Sequence, residues 1–161
     1  MPDTGSDEED FSMVMTEYVD QKIRADHPIL FYQMEMKLAE ADLGLAISKG
    51  IRLNETRQIL DMLDTLYGLL SDPDSKLPDQ QRKMLNHADN VWLDLKSKLS
   101  SGDERASFLL SSHSHMSEAL GYLIKARDDP LFKEIIPDYL LKYLSKLSIF
   151  TYREAIGHVM L

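Results

Sequence analysis

The stretch from Asp138 to Leu161 constrains this chain more than any other. Pro137 ahead of it can stand at the start of a helix, where its missing N–H costs nothing. Leu140, Leu144 and Leu147 are three and four residues apart and share one face. Tyr143, Phe150 and Ile156 add apolar surface on the neighbouring faces. A helix apolar around most of its circumference is buried in a bundle, because no side of it suits water. The remaining segments are one-sided, as coverings for such a helix would be. The pattern predicts an all-α, single-domain bundle of about six to seven helices with a buried C-terminal helix.

Composition narrows the function more than the fold. The chain has 161 residues, enough for one domain with a self-sufficient core. Cysteine is absent, which excludes disulfides and thiolate metal sites. No apolar run reaches the length of a membrane span, and the acidic start is unlike a signal peptide, so a cytoplasmic or nuclear location is expected. Net charge is −9 and the pI about 4.9. Lys and Arg are spread through every predicted helix, with no block to neutralise phosphates, so neither nucleic acid nor membrane is an expected partner.

Residues 1–10 carry no apolar residue after Met1 and are predicted to be an acidic disordered tail, with residues 11–161 forming the bundle. Ser6 and Thr4 sit ahead of acidic residues and are candidate phosphorylation sites. A first helix is predicted over 12–25, carried by Met15, Val19 and Ile23, with Ser12 as its N-cap. Pro28 opens a second, long helix to Lys49, which Gly50 ends. One stripe of that helix is Leu30, Met34, Leu38, Ala41 and Leu45; a second is Met36, Ala39, Leu43 and Ile47. Asn54 caps a third helix to about Leu70, with Ile59, Leu63, Leu66 and Leu70 as its core face. A loop over 72–78 leads to a fourth over 79–99, whose broad face includes Met84, Leu85, Trp92 and Leu95. The fifth segment, 103–127, has clear helical ends. Its middle, Ser111 to Ser117, is weak helix because serine competes for the backbone, and either a kink or a meeting of two helices is expected there. Leu131 to Ile136 is a short turn before the final helix.

Three constellations carry possible chemistry. In Arg153-Glu154-Ala155-Ile156-Gly157-His158, an arginine and a histidine are separated by four residues on a late helix. This resembles the motif of HEPN-type ribonucleases, which are also small helical bundles. The resemblance implies that Arg153 and His158 would act on the 2′-hydroxyl and the scissile phosphate. Glu154 follows the arginine, and Met160 stands two after the histidine. The same spacing recurs at Arg82 and His87. His113, His115 and Glu118 form the second constellation, and Glu154 with His158 the third. The Glu-x-x-His pattern of bundle di-iron sites is missing, so His113 reads as a hydrogen-bonded boundary residue and His115 as a solvent-exposed one. No metal or cofactor is expected.

The leading expectation is a non-enzymatic helical interaction, adaptor or regulatory module. Its partner is another protein, a homodimer among the options, with the apolar end Val159, Met160 and Leu161 as candidate partner-binding residues. The alternative is a metal-independent ribonuclease using Arg153 and His158. A metal- or ligand-binding bundle is the third reading.

Overall fold

The computed structural model describes residues 10–50, 54–88 and 102–160, without the side chains of Asn54 and residues 158–160. The predicted helical faces at Val91, Trp92, Leu95 and Leu99, and the tail up to residue 9, lie outside the described residues. Six helices and one very short hairpin make up the rest: β1 (Met13–Val14), β2 (Ile23–Arg24), α1 (Pro28–Ser48), α2 (Asn54–Gly68), α3 (Asp79–Asn86), α4 (Glu104–Ala126), α5 (Pro130–Lys133) and α6 (Asp138–Met160). The all-α bundle predicted from the sequence is the fold observed.

The four long helices form a closed ring in which α1 touches α4, α4 touches α6, α6 touches α2, and α2 touches α1. Every neighbouring pair is antiparallel. The Phe31 and Tyr122 rings meet at 5.4 Å near one end of the α1/α4 pair, and Lys49 reaches Glu104 at 3.6 Å near the other. His113 bonds Ser148, while Arg127 bonds Asp138. Helix α1 therefore runs parallel to α6 across the ring.

Among the described residues, the α1/α4 pair is the most extensive contact. The buried residues explain why. Helix α1 presents Tyr32, Met36, Ala39, Leu43 and Ala46, and α4 presents Ala106, Leu109, Ser112, Met116, Ala119 and Leu123. Small residues alternate with large ones on both sides, so the backbones approach closely and the large side chains interdigitate. The Ser112 hydroxyl spans the gap and donates to the Ala39 carbonyl at 2.9 Å. Helix α6 is buried along Leu140, Tyr143, Leu144, Leu147, Thr151 and Ala155, with α4, α2 and α3 around it.

The first predicted helix is a correction. Residues 13–24 form an antiparallel two-strand pair, Met13 opposite Arg24 and Val14 opposite Ile23. Its stripe of apolar residues was thin, and Thr16 Oγ1 accepts the Tyr18 N–H at 3.2 Å, a local turn that competes with helix. Ile23 is buried, while Val14, Tyr18 and Val19 pack against the core, so tertiary burial decides the matter. Ser12 is not a helix cap but part of a turn held by Asp10.

A second correction concerns the serine-rich middle of α4, which is continuous helix. Ser107, Ser114 and Ser117 donate their hydroxyls to carbonyls four residues earlier, leaving the helical ladder in place. Gly50 does take the left-handed conformation expected of it, at φ 93°. His27 caps α1: its Nδ1 accepts the Ile29 N–H, which fixes the tautomer and sends the Nε2–H to Asp129 at 3.0 Å. The backbone N–H of Leu131 and then His27 hold the Asp129 carboxyl below its usual range.

Candidate functional site

The outer face of α1, alongside α4, collects apolar side chains that the described residues leave largely uncovered. Phe31, Met34, Leu38, Ala41 and Leu45 follow each other at steps of three, four, three and four residues. That is the a/d spacing of a helix made to pack against another helix. Four of the five are large and stand 42–56% exposed. Of the stripe Leu30, Met34, Leu38, Ala41 and Leu45 expected to be buried, Leu30 packs against the core while the other four face outward, and Met34 fills no core gap. The residues one position further on, Tyr32, Ala39 and Ala46 with Met36 and Leu43, hold the core. Helix α1 thus carries two seams about 100° apart, given 3.6 residues per turn.

Beside the stripe lies a polar cluster. His115 of α4 sits between two carboxylates of α1, its Nδ1 2.5 Å from Glu35 Oε2 and its Nε2 3.8 Å from Asp42 Oδ2. Glu118 stands one helical turn further along α4, and single ligand atoms of Glu35, His115 and Glu118 lie within 4.8 Å of one another. The His115 side chain is only 27% exposed, so the expectation of a solvent-facing residue is corrected. Its burial comes from α1, a neighbour that the spacing of one helix does not reveal.

His113 meets its expectation as a bonded boundary residue. Its Nδ1 contacts the Ser148 carbonyl at 2.8 Å and the Ser148 hydroxyl at 2.9 Å, and its ring packs on Tyr152. A carbonyl only accepts, so Nδ1 carries the proton and is no base for Ser148. Ser148, 5% exposed, also shares a hydrogen bond with Ser117. This group fastens α4 to α6.

The other sequence candidates are dispersed. Arg153 is exposed on α6, and the side chain of His158 lies outside the described residues. Burial, and then the Glu55 carboxylate of α2, raise the carboxyl of neighbouring Glu154, against the pull of Arg153. Arg82 pairs with Asp79 on α3, and His87 ends that helix. Helix α6 runs to Met160, so Gly157 does not stop it; the side chains of Val159 and Met160, and Leu161 entirely, lie outside the described residues, as do Thr4 and Ser6. A cleft of about 500 Å³ between the hairpin, the loop after α2 and the start of α6 is lined by Tyr18, Leu70, Lys76, Ile135 and Tyr139 among others. Lys76 lies over the Tyr139 ring there, and burial raises the Tyr18 hydroxyl well above its ordinary value.

Fold and surface together define the class: an acidic antiparallel four-helix bundle with a short N-terminal hairpin and one long helix left apolar on two sides. Residues 15–157 match the family described as Domain of unknown function (DUF1940), and the chain belongs to that family. No curated protein matches it. Among the described residues, no helix is long and apolar enough to cross a membrane.

Proposed function

We propose that the protein is a non-enzymatic helical interaction module whose docking face is the outer seam of α1, and that a second copy of the chain covers this face. The observation that carries the reading is the symmetry of the seam. Leu38 is its midpoint, with Phe31 and Leu45 seven residues to either side. An antiparallel two-fold axis through Leu38 sets Leu38 on its own copy and Phe31 against Leu45, and brings the long Met34 to within one residue of level with the small Ala41. A self-complementary patch of this kind is what a symmetric dimer requires.

The area is of the right order. Four large side chains near half exposure present roughly 300–400 Å² of apolar surface, within the range of functional patches. The rim of Lys37, Tyr122 and neighbouring polar groups supplies the balance towards the roughly 800 Å² per partner of a standard interface. At about 25 cal/mol per Å², the apolar part contributes roughly 15–20 kcal/mol across both copies. Association costs on the order of 4–15 kcal/mol or more, and a mid-range cost leaves the roughly 8 kcal/mol that a micromolar dimer needs. An adaptor or regulatory role builds on that assembly.

The test is light scattering of the full chain and of Leu38→Glu. A dimer mass for the wild type and a monomer mass for the variant are expected, with a wild-type melting temperature that rises with concentration. Leu38 is 44% exposed, so the variant folds. A wild-type monomer at about 100 μM, or a Leu38→Glu dimer, sinks the proposal; the first value lies well above the micromolar range argued here.

A further inference from the structure

We infer that Glu35, His115 and Glu118 form a divalent-cation site, with Asp42 as the outer partner of the histidine. This goes beyond the docking proposal and does not depend on it. His115 and Glu118 are three residues apart on α4, so they project from one face. Glu35 approaches from α1 across the α1/α4 contact. The bond from Ser112 to the Ala39 carbonyl lies about one turn away and holds the two helices in register. The ligand atoms of the three residues lie within 4.8 Å of one another. Ions bound at about 2.0–2.2 Å to nitrogen and oxygen separate their ligands by roughly 3–4 Å. Small side-chain rotations therefore suffice: the 2.5 Å contact of His115 Nδ1 with Glu35 opens, and Glu118 closes in.

The independent observation is Asp42. Its Oδ2 is buried, has no hydrogen-bond partner, and lies 3.8 Å from Nε2 of His115. A histidine that gives Nδ1 to a metal carries its remaining proton on Nε2, and metal-bound histidines characteristically donate that proton to a carboxylate. Asp42 stands where such an acceptor is needed, and its unsatisfied oxygen gains the bond. The cluster holds three carboxylates around one imidazole, in a chain of net charge −9, so a cation is the fitting guest. One nitrogen and two carboxylates suit Zn²⁺ or Mn²⁺, and the exposed side of Glu118 leaves positions for water.

The experiment is calorimetric titration of chelator-treated full chain with Zn²⁺ and with Mn²⁺, repeated on Glu118→Gln, His115→Ala and Asp42→Asn. Melting curves in chelator confirm that each variant folds, and exposed Glu118 serves if a buried change does not. One ion per chain is expected. Glu118→Gln and His115→Ala should weaken binding at least tenfold, and Asp42→Asn about 10–100-fold through the histidine alone. Absence of binding by the wild type, or unchanged affinity in folded Glu118→Gln, overturns the assignment.

Discussion

Ser112→Leu tests the close approach of α1 and α4, which brings Glu35 beside His115. Ser112 is fully buried, and its hydroxyl lies 2.9 Å from the Ala39 carbonyl, so the space beside its Cβ ends at the backbone of α1. Removing the hydroxyl alone is mild. Ser112→Ala loses one hydrogen bond, a net of about 0.5–1.5 kcal/mol. The Ala39 carbonyl lies inside α1 and keeps its helical donor, and alanine recovers about 0.5 kcal/mol of helix propensity. Leucine instead brings branched carbons to where an oxygen already touches a carbonyl. Overpacking of that kind costs about 1–3 kcal/mol or more, added to the lost bond. At about 2–4 °C per kcal/mol for a chain of this size, Ser112→Ala should lower Tm by no more than about 4 °C. By the same scale Ser112→Leu should lower it by about 3–18 °C. Thermal denaturation followed by circular dichroism reads both. If the leucine variant melts with or above the alanine variant, the helices are not in close contact at this point and the packing argument is wrong.

Leu144→Ala should destabilise by about 2–5 kcal/mol, because Leu144 is fully buried on α6; a melting shift under about 1 °C would contradict its place in the core. Glu40→Gln should stabilise the protein at neutral pH. Burial first, and then Asp64 across the α1/α2 contact, raise the Glu40 carboxyl above its ordinary value, so the folded state holds that proton more tightly than the unfolded one. Stability is therefore lost as pH rises from the ordinary glutamate range through the raised folded value. The gain of the glutamine variant should be largest above that window and vanish below it; a gain that persists unchanged in acid refutes the assignment.

The fold class was legible because α2, α4 and α6 declare themselves by period, and because Pro28, Gly50 and Pro137 punctuate the chain for steric reasons. The hairpin was not. Met15, Val19 and Ile23 also fit a helical stripe, and only the core against which Val14, Tyr18, Val19 and Ile23 pack chooses between the two. Helix α1 was legible as a helix but not as a face. Its apolar residues lie nearly all round, so period alone does not say which of two seams a neighbour covers. The small residues Ala39 and Ala46 mark the inner seam, since close helix packing needs them, and that signal was present in the sequence. His113 could be read from its register opposite α6. His115 could not: its partners Glu35 and Asp42 are 80 and 73 positions away, and no local pattern pairs them.

The two proposals meet at Glu35 and Asp42, and charge says how. Both residues directly follow a position of the outer seam, Met34 and Ala41. In the antiparallel arrangement about Leu38, Glu35 of one copy comes opposite Ala41 of the other, one residue from its Asp42, on both flanks of the seam. Two carboxylates so placed oppose association, by an amount that grows as the interface excludes water. Inside each chain His115 already stands between the same two residues. A divalent ion held by Glu35, His115 and Glu118 adds two positive charges beside that flank and removes the opposition. Binding free energies are reciprocal, so an interface that favours the ion is one the ion favours in turn. On the two proposals together, the apolar seam of α1 supplies affinity and the charge of the histidine cluster at its edge sets when it closes.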